Sequence, residues 1–167
     1  VFEQSYQEID GDSASLAEYC CLISAISVKP INQSLAATGA IDQFGNVQAI
    51  GGVNEKIEGF FKLCKRRGLT GHQGVIIPCS NMQQLNLHQD VIDAVDAGLF
   101  TLYQVKHIDE AVEILMQTPA GSPDEDNQFP DESLYGLVQS RLESLAGYQD
   151  EERSLFERLV DKLRFSS

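Results

Sequence analysis

Basic side chains are scarce in this sequence: 12 lysines and arginines stand against 25 aspartates and glutamates, a net charge of −13. A negative surplus of that size argues against nucleic-acid binding and against docking on an anionic membrane. No apolar run reaches the ~18 residues that a membrane-spanning helix needs, and no stretch reads as a signal peptide. The cysteines Cys20, Cys21, Cys64 and Cys79 form no C-x-x-C pair, so neither a zinc site nor a dithiol redox motif is expected. They read as small, reduced core residues of a cytoplasmic protein. A nucleophilic role would need an electropositive or histidine-rich surrounding that the neighbouring sequence does not supply. No G-x-x-x-x-G-K-S/T loop occurs, so no ATP site is expected in these residues. His72, His88 and His107 are far apart in sequence. Each falls in or beside a loop or helix end and reads as a surface or capping residue, with no relay partner at hand.

What is present is enough for one domain. A chain of 167 residues, 43% of them hydrophobic, can bury a substantial core. It begins at Val1 and is expected to be part of a longer polypeptide. Val1 to Ile9 alternates patchily and reads as a strand. Leu16 to Ile26 is a helix apolar on nearly every side, hence buried. Ser34–Ile41 and Asn46–Ile50 read as a hairpin turning at Asp42-Gln43-Phe44-Gly45. Asn54 to Arg67 is amphipathic and stops at Gly68. Val75-Ile76-Ile77 lies in a short buried strand, Met82 to Ala97 in a helix, Leu99 to Val105 in a strand, and Ile108 to Gln117 in a helix. Thr118 to Pro130 is an acidic, proline-containing linker, expected to be mobile. Asp131–Ala146 and Asp150–Phe165 read as two amphipathic helices. The expected architecture is α/β, a small mixed sheet flanked by helices with a helical C-terminal extension. No internal repeats occur.

The chemistry centres on Gly11-Asp12-Ser13-Ala14-Ser15. Ser15-Leu16-Ala17-Glu18 fits a capping box, with Ser15 as N-cap and Glu18 three residues on. That leaves the Ser13 hydroxyl uncommitted at the positive end of a helix, where backbone N–H groups gather and an oxyanion would be stabilised. The competing reading makes Asp12 or Ser13 the cap, with no further duty. Lys56 shifts the balance. At about 100° per residue, Ile57, Phe60, Phe61, Leu63 and Cys64 form one apolar arc, and Lys56 points between Phe60 and Leu63. Glu55, Glu58, Lys62, Lys65 and Arg66 lie outside it. A lysine in the first turn also opposes the helix dipole. Either its stem snorkels along the core, or burial keeps its amine uncharged, ready to act as general base for Ser13.

Taken together, these residues resemble the proteolytic domain of the Lon protease family. Gly11-Asp12-Ser13-Ala14-Ser15 resembles the nucleophile motif of the branch whose best-known members are archaeal. Thr38-Gly39, Gly51-Gly52-Val53 and Glu55-Lys56 resemble its second signature, and Val75-Ile76-Ile77-Pro78 the strand that follows. The resemblance covers about Val1 to Met116. It implies a proteolytic domain over residues 1–117, with the linker 118–130 and the extension 131–167 appended. It implies a serine endopeptidase acting on unfolded or tagged proteins, with Ser13 as nucleophile, Lys56 as general base and the Thr38 hydroxyl orienting the lysine. Backbone groups at Asp12 and Ala14 would face the oxyanion. It implies a hexameric ring, and an upstream ATPase module in the same polypeptide that would bind ATP and Mg. Further strands precede the serine motif in the family, so part of the fold or groove is expected upstream of these twelve residues. The rival reading is a catalytically inactive, ring-forming assembly module of a Lon-like ATPase. Amide hydrolysis of small molecules would use the same pair.

Overall fold

The structure is a computed structural model that describes residues 11–147. The strand expected at Val1–Ile9 and the second C-terminal helix, Asp150–Phe165, lie outside the described residues. Within them the order is a 3-10 turn at Asp12–Ala14, α1 (Ser15–Ser27), β1 (Leu35–Ala37), β2 (Ala40–Ile41), β3 (Val47–Gln48), α2 (Val53–Arg67), β4 (Gln73–Pro78), a second 3-10 turn (Cys79–Gln84), α3 (Gln89–Asp96), β5 (Phe100–Val105) and α4 (Ile108–Met116). A further helix, α5, occupies residues 134–147.

The organising strand is β4. Its β-branched run Val75-Ile76-Ile77 suits a pleated, fully enclosed surface, and it lies between β1 and β5, parallel to both. A parallel strand covered on both faces is apolar throughout rather than alternating, and Val75, Ile76 and Ile77 are all buried. Successive side chains point to opposite faces, which divides the interior in two. Ile76, with Leu35, Ala37, Tyr103 and Val105, joins Leu16, Cys20 and Ile23 of α1, Val112 and Leu115 of α4, and Leu134 of α5. Val75 and Ile77, with Ala36, Phe100 and Leu102, join Ile57, Phe61 and Cys64 of α2 and Val91 and Ala94 of α3. Phe61 meets Phe100 edge-on, ring centroids 5.2 Å apart. The α/β expectation therefore holds: a small sheet with helices on both faces and a helix at the C-terminal end.

Several local expectations are corrected. The run Ser34–Ile41 is two strands, not one. β1 pairs in parallel with β4, and β2 pairs antiparallel with β3. The break falls at Thr38-Gly39, where a Cβ on Gly39 would lie 2.9 Å from Val47 Cγ1 and 3.0 Å from Leu16 Cδ2 and would force one of those side chains to move. The helix expected over Met82–Ala97 begins at Gln89 instead. Upstream of it, Asn86 N–H donates to the Asn54 side chain and Asn81 is committed to Ile50, tertiary partners that compete with helical bonding. Ser15 does not close a capping box. Its hydroxyl donates to the Asp12 carbonyl at 2.8 Å and accepts from Ile41 N–H at 3.0 Å, tying the turn to β2. Helix α1 is buried on one side only: Leu22 and Cys21 are exposed. Finally, the acidic segment is anchored at its start. Ala120 N–H donates to the Glu113 carboxylate, Leu134 N–H to Pro119 O and Tyr135 N–H to Ala120 O, and Ala120 and Leu134 are buried in the α1/α4 core.

Candidate active site

Three segments distant in sequence meet where β1 ends. The 3-10 turn carries Ser13, with Ala14 at the N-cap of α1. The Ser13 carbonyl accepts from Gly39 N–H at 3.0 Å and from Thr38 Oγ1 at 3.2 Å. Leu16 N–H donates back to Gly39 O at 3.1 Å, and Thr38 N–H reaches Ile76 O on β4 at 3.0 Å. The serine turn is thus fixed to the sheet through Thr38-Gly39. Thr38, expected on a hairpin strand, lies in the gap between β1 and β2 and is 8% exposed.

Lys56 arrives from the opposite layer. Gly52 takes a left-handed conformation at φ 67°, open to glycine at little cost, and α2 starts immediately after it. In its first turn Lys56 extends to Ser13: Nζ lies 2.7 Å from Ser13 Oγ and 3.4 Å from Thr38 Oγ1. The three side chains expected together from sequence are brought together. One detail differs: Lys56 as a residue is exposed, so within this chain burial does not enclose it. The apolar arc is narrower than its sequence pattern, since Leu63 is also exposed, and Lys56 sits at its margin.

The pair opens into a groove of about 360 Å³ lined by Ser13, Ala14, Ala17, Ala36, Ala37, Thr38, Lys56, Phe60 and Val75. Small side chains from α1 and β1 leave the space, and Phe60 and Val75 give it an apolar wall. Sequence reasoning missed these wall residues, because Ala36 and Phe60 look like ordinary core positions. The chemistry available is that of a hydroxyl touching an amine beside the N-terminus of a helix.

Among the described residues, the histidines and cysteines lie away from the groove. His107 caps α4, accepting from Asp109 N–H, and its Nε2 is 3.0 Å from Phe44 O; His88 stands 3.5 Å from the Glu58 carboxylate. No histidine lines the groove. Among the described residues no cluster of His, Cys, Asp or Glu could hold a metal ion, and no helix is long and apolar enough to cross a membrane. All four cysteines are free, but only Cys20 and Cys64 are buried, correcting the expectation of four core thiols. Burial, reinforced by the adjacent Cys21, pushes the Cys20 thiol up to about 12. Because the thiolate is the reactive form, iodoacetamide should alkylate Cys21 in the native protein and spare Cys20 until the protein is denatured. Mass spectrometry of the native digest checks this, and equal labelling of the two would contradict the burial.

Fold and site together define an α/β domain whose serine, held before a helix N-terminus, contacts a lysine from the facing layer. The family model of the Lon protease C-terminal proteolytic domain matches residues 7–118; the chain belongs to that family. Its relatives include a "Putative Lon protease homolog" of Haemophilus influenzae, 53% identical over 93% of this chain and 26% of that protein. A "Putative Lon protease homolog" of Escherichia coli is 56% identical over 70% of the chain and 20% of that protein. An "Archaeal Lon protease" of Methanocaldococcus jannaschii is 43% identical over 68% of the chain and 15% of that protein. The chain thus spans about a quarter or less of the length of these relatives.

Proposed function

We propose that this chain is the hydrolytic domain of a Lon-type serine peptidase, cleaving peptide bonds of unfolded or tagged proteins through Ser13 and Lys56. The observation that carries the reading is the 2.7 Å contact between Lys56 Nζ and Ser13 Oγ at the head of an open groove. In the mechanism, the uncharged Lys56 amine takes the Ser13 proton as Oγ adds to the substrate carbonyl. The negative oxygen that forms is faced by backbone N–H groups of the Asp12–Ala14 turn and by the positive end of α1. Lys56 then gives its proton to the departing amine, the C–N bond breaks, and an acyl-serine remains. Lys56 then takes a proton from water as its oxygen adds to the acyl carbonyl, the ester C–O bond breaks, and that proton passes to Ser13 Oγ as the acid leaves. An extended polypeptide in the groove would cover the exposed lysine and withdraw it from solvent, a condition the isolated chain does not meet.

Assembly into a hexameric ring, ATP and Mg bound by another part of the parent protein, and a cytoplasmic location complete this proposal. The test is a serine-directed fluorophosphonate probe on the intact parent protein. Stoichiometric labelling at Ser13 is expected; no labelling would favour the rival, a catalytically inactive ring-forming module.

Thr38 has a graded role in this scheme. Its hydroxyl donates to the Ser13 carbonyl and lies 3.4 Å from the Lys56 amine. Thr38→Val keeps the branched shape but removes the hydroxyl, and is expected to lower kcat about tenfold, whereas Thr38→Ser retains most activity. Equal kcat values for the two variants in a peptide assay would leave Thr38 without that role.

A further inference from the structure

Among the described residues, the most fully committed buried polar side chain outside the groove is Asn81, in the second 3-10 turn, with no exposed surface. Its Oδ1 accepts from Ile50 N–H at 3.0 Å, and its Nδ2 donates to Ile50 O at 3.0 Å and to the Gln84 side chain at 2.8 Å. Both backbone groups of Ile50 are therefore held by one amide. Ile50 immediately precedes Gly51-Gly52, whose backbone freedom would otherwise leave the start of α2 poorly fixed. Two more side chains make the same connection from the other direction. Asn54 Nδ2 donates to Gln84 O at 3.2 Å, and its Oδ1 accepts from Asn86 N–H at 2.9 Å. Glu58 Oε1 accepts from His88 N–H at 3.1 Å. Asn54 and Glu58 flank Lys56 at two residues either side, on the first turns of α2. Residues 82–88, expected to open a helix running to Ala97, instead join Asn81 in a bracket gripping the start of the lysine helix.

We infer that Asn81, assisted by Asn54, is a positioning residue for peptide hydrolysis: it sets where the first turn of α2 stands, and so whether Lys56 Nζ reaches Ser13 Oγ. The inference rests on the serine–lysine reading. Its physical basis is that about 1 Å of misplacement can cost on the order of a hundredfold in rate. Asn81→Asp keeps the size and the acceptor for Ile50 N–H, but loses both donated bonds and sets a carboxylate against the Ile50 carbonyl. Asn54→Ala, at a partly exposed position, removes two bonds without opening the core. Asn54→Asp keeps the acceptor for Asn86 N–H.

The experiment uses the full-length parent protein, a short fluorogenic peptide, and fluorophosphonate titration of Ser13 to count competent sites. For Asn54→Ala and Asn81→Asp, kcat per titrated site is expected to fall about tenfold with KM changed by less than about twofold, and Asn54→Asp to fall between Asn54→Ala and wild type. A merely structural role would lower the number of titrated sites and leave kcat per site untouched, and that result overturns the inference. Should Asn81→Asp not fold, Asn54→Ala decides the matter. A wild-type protein that neither cleaves nor labels defeats the serine–lysine reading itself, whereas an active wild type with unaltered variants defeats only the bracket.

Discussion

Ser13→Ala and Lys56→Ala are each expected to lower peptide hydrolysis by the full-length parent protein by about 10³-fold or more, with the folded domain intact. The structural half of this expectation comes from what each side chain holds. Ser13 anchors the site through its carbonyl, which accepts from Gly39 N–H and Thr38 Oγ1 and survives truncation to alanine. Lys56 is exposed, and trimming an exposed side chain away from caps and cores alters stability by about 0.5 kcal/mol or less. The urea midpoint should therefore stay put while activity disappears. Groups that act as one unit give non-additive losses, so the double variant should be no slower than either single one. Lys56→Arg sharpens the test. Arginine preserves a positive, hydrogen-bonding head but cannot serve as a base, because it does not deprotonate in proteins. Inactivity of Lys56→Arg would point to proton transfer; full activity would mean the lysine contributes only charge, and hydrolysis persisting in Ser13→Ala would remove the serine altogether.

The second large effect concerns stability. Leu134→Ala is expected to destabilise the domain by about 2–5 kcal/mol, a large share of the roughly 5–15 kcal/mol typical of a whole domain. Leu134 is the first residue of α5 and is 0% exposed, buried with Val112, Leu115 and Ile76. The helix around it is also latched: its backbone N–H reaches Pro119 O, Tyr135 N–H reaches Ala120 O, and the Tyr135 hydroxyl donates to Asp109 on α4. Burial and that bond to a carboxylate both raise the Tyr135 phenol above its ordinary range. A substitution further along the same helix is the control. Leu142 is 49% exposed, and Leu142→Ala should shift the urea midpoint little, within about 0.5 kcal/mol. If Leu134→Ala were equally mild, α5 would be an ornament on the core rather than part of it.

Much of this arrangement can be read from the residues. The β-branched run at Val75-Ile76-Ile77 announces a buried strand, and the apolar stripe from Ile57 to Cys64 announces the helix that carries Lys56, because both rest on local periodicity. The meeting of Ser13, Thr38 and Lys56 follows from motif resemblance rather than periodicity, since nothing local brings positions 25 and 43 residues apart together. What escapes the sequence is long-range. The exchange of sheets at Thr38-Gly39 depends on the close approach of Val47 and Leu16 to a glycine, though a glycine interrupting an apolar run was itself a signal. Residues 82–88 read as helix in the sequence but are not α-helical, because Asn81 and Asn86 find partners some 30 residues away. The exposure of Lys56 is likewise invisible to a helical wheel, which gives direction but not what stands opposite.

Ser13 enters from the layer built on α1 and α4, and Lys56 from the layer built on α2 and α3, with β1 of the shared sheet between them. Their contact therefore works as a vernier between two slabs. Because the serine turn is fixed to the sheet through Thr38-Gly39, a small shift of the start of α2 against that sheet would be enough to part the alcohol from the amine. Catalysis should then fade on warming before cooperative melting begins, and anything that grips both slabs at once would act as a tuning clamp on the rate.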